Sequence, residues 1–150
     1  MASLFQTIVV GTDGSDTATE AVRQAAELAV DLGARVLIVC AYEPISDERL
    51  RETADEVPHD LQWIVNPRED VDATLRAAAE IAKDGGVEHE TYARQGDPAD
   101  AILDVAEERS ADLIVVGNKG MTGAKRFLLG SVPNKVSHHA PCSVLIIRTT

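Results

Sequence analysis

The chain has 150 residues, 45% of them apolar and only 3% aromatic, with a formal net charge of −11. That length and apolar content suit one domain with a real core and exclude a disordered chain. The acidity argues against a nucleic-acid duplex as partner, and the shortage of aromatics argues against stacking platforms for single strands.

Residues 1–150 are therefore read as a single domain filled by Val, Ile, Leu and Ala. The opening residues show no basic region followed by an apolar core. No apolar run approaches the ~20 residues of a membrane span. A cytoplasmic setting without membrane attachment is expected. Cys40 and Cys142 lie in apolar runs and read as small buried hydrophobes, since they lack disulfide or metal spacing.

In chain order, Thr7–Gly11 (TIVVG) reads as the first strand. A helix follows from Ala18 to Leu32, with Ala21, Ala25, Leu28, Ala29 and Leu32 on one stripe. Ser15 or Asp16 caps its start and Gly33 stops it. Arg35 to Ala41 (RVLIVCA) is the second strand. Residues 43–72 resist the scheme: they are rich in carboxylates and contain Pro44, Pro58 and Pro67. They read as a solvated excursion or a lid, with a short helix near 47–56 and Trp63 anchoring the segment to the body.

The second helix is expected from Asp72 to Lys83, closed by Gly85 and Gly86. Val87 to Arg94 alternates and suggests an edge strand. Asp97 and Pro98 open a third helix that runs to about Ser110 and buries Ile102, Val105 and Ala106. Asp112 to Gly117 is a strand. A fourth helix begins near Ser131 and ends before Pro141, and Ser143–Arg148 is the last strand. Helices thus alternate with strands that are apolar on both faces, the pattern of a doubly wound α/β fold with a parallel sheet.

The charge is unevenly spread. From Leu113 onward there is no Asp or Glu, while Lys119, Lys125, Arg126, Lys135 and Arg148 fall there. Glycines cluster at 117, 120, 123 and 130, between a strand and a helix. A glycine-rich turn that ends at a helix N-terminus presents free N–H groups and positive potential, which suits phosphate. Ser131 adds a hydroxyl at the expected capping position, and Pro133 fits the first turn. The loop is neither a Walker A loop nor a Rossmann fingerprint.

The spacing Gly117-x2-Gly120-x9-Gly130-Ser131 resembles the signature of the ATP-binding branch of the universal stress proteins. The opening TIVVGTDGS with Asp13, the Gly96-Asp97-Pro98 turn, DLIVVG and the closing PCSVLIIR agree with that family in order and spacing. The resemblance implies a three-layer α/β fold, adenine nucleotide alpha hydrolase-like, with a five-stranded parallel sheet in the order 3-2-1-4-5. Strands 1 and 4 would then flank the switch point where open α/β sheets bind ligands.

The nucleotide site it implies comprises Gly11, Thr12, Asp13, Val39, Cys40, Ala41, Val116, Gly117, Asn118, Gly120, Met121, Gly130, Ser131 and Val132. Asp13 and Gly117 would hold the ribose hydroxyls, and main chain near Val39–Ala41 would meet the adenine edge. Gly120, Gly130, Ser131 and Val132 would hold the phosphates, with Mg carried only through them. Some ATP-binding relatives have a hydroxyl residue where this chain has Pro133, which leaves ATP, ADP and a cyclic nucleotide open as ligands.

No nucleophile–base pair or metal cluster is read from the sequence, so no catalytic residue is assigned. His138 and His139 are adjacent, point apart on a helix and read as surface or dimer residues. The leading reading is an ATP-binding stress-response sensor or regulator. The alternatives are a cyclic-nucleotide-binding protein, an interaction module without nucleotide, and a slow ATPase or self-phosphorylating enzyme. The apolar Ser143–Arg148 edge and the resemblance together imply a homodimer.

Overall fold

A computed structural model describes residues 4–42, 67–118 and 129–149. Five strands form one parallel sheet: β1 (Thr7–Gly11), β2 (Arg35–Tyr42), β3 (His89–Gln95), β4 (Leu113–Gly117) and β5 (Ser143–Ile147). Their order is β3-β2-β1-β4-β5, as the family resemblance implies. Helices α1 (Asp16–Leu32), α2 (Pro67–Asp84), α3 (Pro98–Glu108) and α4 (Ser131–His139) cover it. No helix among the described residues is long and apolar enough to cross a membrane.

The core divides into two layers because successive strand residues face opposite ways. Ile8, Val10, Val36, Ile38 and Val115 pack against the alanine-rich faces of α1 and α2. Val9, Leu37, Val39, Ile114 and Val116 pack against Ile102 and Val105 of α3 and Val136 of α4. The alanines of α1 let that helix approach closely while its outer face carries Arg23 paired to Glu20 and Glu27.

Several boundaries move from the sequence reading, each for a local reason. Ser15 caps α1, its hydroxyl accepting the Ala18 N–H at 3.2 Å, so the helix starts at Asp16. Gly33 closes it in the left-handed conformation. Helix α2 begins at Pro67, five residues before the expected Asp72. Proline suits a first helical turn, where its missing N–H would have no helical partner. The expected helix near 47–56 and the Trp63 anchor lie outside the described residues. Asp112 precedes β4 instead of opening it. Its carboxylate accepts the Gln6 and Thr7 N–H groups at 3.0 Å and starts β1.

The two sheet edges differ in chemistry. On β3, Glu90 pairs with Arg109 at 3.2 Å and accepts the Tyr92 hydroxyl at 2.6 Å. Arg94 pairs with Glu108 at 2.6 Å, and the guanidinium carbons of Arg94 and Arg109 stand 5.5 Å and 5.9 Å from the Tyr92 ring centre. On β5, Leu145 and Ile146 remain 40% and 38% exposed.

Candidate functional site

The carboxyl ends of β1, β2 and β4 and the start of α4 gather most of the residues named from the sequence. Register pairs Gly11 with Val39, and the Thr12 N–H donates to the Val39 carbonyl at 2.9 Å. The turn after β1 is thus fixed to the end of β2. In that turn the Asp13 Oδ1 accepts the Ser15 N–H at 2.9 Å, and the buried Thr12 hydroxyl accepts the Gly14 N–H at 3.1 Å. Gly14 adopts a positive φ of 84°, and a side chain there would press on Thr74 of α2. Asp13 therefore does not cap α1, a role that Ser15 fills.

The glycine at 11 has a packing reason of its own. A Cβ there would collide with Cδ1 of Ile102, on the α3 side of the sheet. Cys40 is buried, and burial followed by the Asp13 and Asp70 carboxylates pushes its thiol up to about 11. It is a protonated core group at neutral pH.

Beside this turn, on the α1 face, a cavity of about 260 Å³ opens between Thr12, Thr19 and Val22 on one side and Ala73, Thr74 and Ala77 on the other.

On the other flank, β4 ends at Gly117 and Asn118 follows. The Gly130 N–H donates to the Asn118 carbonyl at 3.1 Å, which brings the start of α4 against the end of β4. Gly130 itself, not Ser131, is the N-cap of α4, and it makes no side-chain capping bond. Ser131 is the first helical residue and is exposed, so its hydroxyl is not engaged as a cap. Pro133 is buried in the first turn, and no acidic residue occurs there. Gly120 and Met121, together with Lys119, Lys125 and Arg126, lie outside the described residues.

Lys135 turns away from this junction. Its Nζ sits 2.8 Å from Asp100 and 3.3 Å from Asp97, both at the start of α3. Asp100 first, then Asp97, hold its ammonium above the ordinary lysine value. Asp97 caps α3, accepting the Asp100 N–H at 3.1 Å, as its place before Pro98 suggests. One of the five cations in the acid-free tail is thus committed to helix–helix contact. No group of three metal-ligating side chains occurs among the described residues. The rings of His138 and His139 are 6.5 Å apart and tilted by 57°.

One participant escaped the sequence reading, and a second was read there only as a buried residue of the third helix. Thr149 donates to Asn118 by both its N–H and its hydroxyl, at 2.9 Å and 3.1 Å. Ile102 stands behind Gly11. Neither belongs to a motif: pairing of β4 with β5 brings Thr149 to its place, and packing of α3 on the sheet brings Ile102 to its own.

The chain matches the model of the universal stress protein family over residues 4–148. A universal stress protein of Mycobacterium tuberculosis strain H37Rv is 38% identical over 149 residues, with 99% of each chain covered. A solved universal stress protein in complex with cAMP is 36% identical, with a TM-score of 0.72 over 97% of this chain and 98% of that one. The universal stress protein from Archaeoglobus fulgidus in complex with dAMP is 29% identical, with a TM-score of 0.65 over 97% of this chain and 99% of that one. The chain belongs to the universal stress protein family.

Proposed function

We propose that the protein binds an adenine nucleotide, ATP or a close relative, in the cleft between the ends of β1 and β4, and acts as a sensor or regulator in the cytoplasm. The observation that carries the reading is the convergence of four separate segments at one end of the sheet. These are Gly11–Asp13, Val39–Ala41, Val116–Asn118 and Gly130–Val132. Such a switch point between neighbouring strands is where open α/β sheets bind ligands. The first turn of α4 presents the N–H groups of Ser131 and Val132 and no competing carboxylate.

In this reading Asp13 and Gly117 hold the ribose and main chain at Val39, Cys40 and Ala41 meets the adenine edge. Gly120, Gly130, Ser131 and Val132 hold phosphate, and Met121 lines the same loop. A magnesium ion is held through the phosphates, not by a protein cage. The cAMP and dAMP complexes of relatives support adenine as the base. Residues 1–150 form one such domain.

A cyclic or single-phosphate nucleotide is the second reading. Pro133 favours it, because it brings no hydroxyl to the first turn of α4. The exposed Leu145 and Ile146 on the β5 edge support a homodimer paired along that strand.

Titration calorimetry with ATP and magnesium, AMP and cAMP tests the proposal and ranks the ligands. Absence of heat and of thermal stabilisation with all three at millimolar concentration overturns it.

A further inference from the structure

Three chain segments distant in sequence meet on Asn118. Its N–H donates to the Ile147 carbonyl at 2.8 Å, which continues the β4–β5 ladder by one residue. Its carbonyl accepts the Gly130 N–H at 3.1 Å. Its side-chain oxygen accepts both the N–H and the hydroxyl of Thr149. An amide oxygen offers two lone pairs, so the Thr149 donors match its acceptor capacity. Thr149 also backs Gly117, where an added Cβ would lie 3.6 Å from its Cγ2.

The arrangement has a mechanical sense. Among the described residues, a main-chain bond from Gly130 to Asn118 spans the junction of β4 and α4. The residue that accepts this bond is itself held from the far side by Ile147 and Thr149. Release of Thr149 removes two bonds to the Asn118 side chain and leaves its N–H bond to Ile147 in place, which loosens the residue whose carbonyl anchors the α4 N-cap. A ligand gripped by both the end of β4 and the start of α4 needs their separation held to about 0.5 Å.

We infer that Thr149 is a positioning residue for the nucleotide site, acting through Asn118 to set the α4 N-terminus against the end of β4. The inference rests on the nucleotide reading above, and it assigns Thr149 no contact with the ligand. A simple staple of the residues after β5 would alter stability alone. A positioning residue alters the site itself.

The test uses the full chain with Thr149→Val, which loses the hydroxyl donor, and a deletion of residues 149–150, which loses both donors. Thr149→Ser keeps both. The first readout is amide hydrogen exchange at Gly130 without nucleotide, and the second is ATP affinity by calorimetry. Thr149→Val is expected to speed Gly130 exchange and weaken ATP binding, each by about 3- to 10-fold, with larger changes in the deletion. Thr149→Ser is expected to match the unaltered protein. Unchanged exchange at Gly130 in Thr149→Val and in the deletion overturns the inference. Unchanged ATP affinity in a folded deletion variant does the same. Should the deletion fail to fold, the Val and Ser variants decide. An unaltered protein that binds no adenine nucleotide overturns the functional reading instead, and Gly130 exchange alone then decides whether Thr149 sets the junction.

Discussion

The Thr12 N–H donates to the Val39 carbonyl at 2.9 Å, so the turn carrying Asp13 is tied to the neighbouring strand end. Asp13 is thereby presented by a fixed main chain, and its substitution should act on binding more than on folding. Asp13→Ala is expected to weaken ATP binding about 10- to 100-fold, the scale of a lost hydrogen bond to a charged group. Asp13→Asn keeps the acceptor for the Ser15 N–H and isolates the loss of charge. Calorimetry on both variants checks this, and equal affinity in all three proteins would remove Asp13 from the site.

Gly11→Ala drives a methyl into Cδ1 of Ile102. The variant is expected to lose about 1–3 kcal/mol of stability from overpacking. Ile102→Val deletes the offending carbon, so the double variant should recover most of that loss. A double-mutant cycle in urea measures the coupling.

Ser131→Ala separates capping from ligand binding. Because Gly130 is the N-cap, the substitution should leave unfolding free energy within about 0.5 kcal/mol. The nucleotide reading nonetheless requires weaker phosphate binding. Loss of stability on the scale of a cap, about 1 kcal/mol, would show that the hydroxyl does cap the helix.

Asp97 links the start of α3 to Lys135 of α4 and carries a pH dependence. The Asp100 N–H first, and then Lys135, hold its carboxyl below its ordinary value of 3.8. Its ionised form therefore stabilises the fold fully above the unfolded-state value, and that contribution fades as pH falls through the depressed folded value. Asp97→Ala should cost about 1 kcal/mol near neutrality as a lost cap. The gap between variant and unaltered protein should narrow as pH drops below 3.8, because the unaltered protein loses the charged part of the interaction. Chemical denaturation from pH 7 to pH 3 reads this directly.

On the β5 edge, Leu145→Lys and Ile146→Lys place a charge where the proposed partner strand would lie. Either should convert a dimer to a monomer in light scattering at micromolar concentration, with little effect on the fold because both positions are exposed.

The strands and their class were legible because β-branched runs without alternation suit a sheet covered on both faces. The edge position of β3 was legible for the converse reason, since its residues alternate. The start of α2 was not. Pro67 looks like loop composition until its place at a helix N-terminus gives it a role. Ser131 was misplaced by one position, because a glycine can cap as well as a serine and pattern alone does not choose between them.

Charge counting also overstated the tail. Lys135 looked available until the packing of α3 against α4 supplied Asp97 and Asp100 as partners. The bonds from Thr149 to Asn118 span 31 residues and follow from strand order, so no local window could contain them.

The unlike edges of the sheet limit how copies can add to one another. Growth into a filament needs two receptive borders on every copy. Here β3 carries the Arg109–Glu90 and Arg94–Glu108 ion pairs, and among the described residues β5 offers the apolar border. Two copies joined border to border along β5 would use up both receptive sides and turn charged rims outward. In that proposed arrangement association would stop at two, and the charged chemistry of the strand farthest from the contact would guard against fibrous growth.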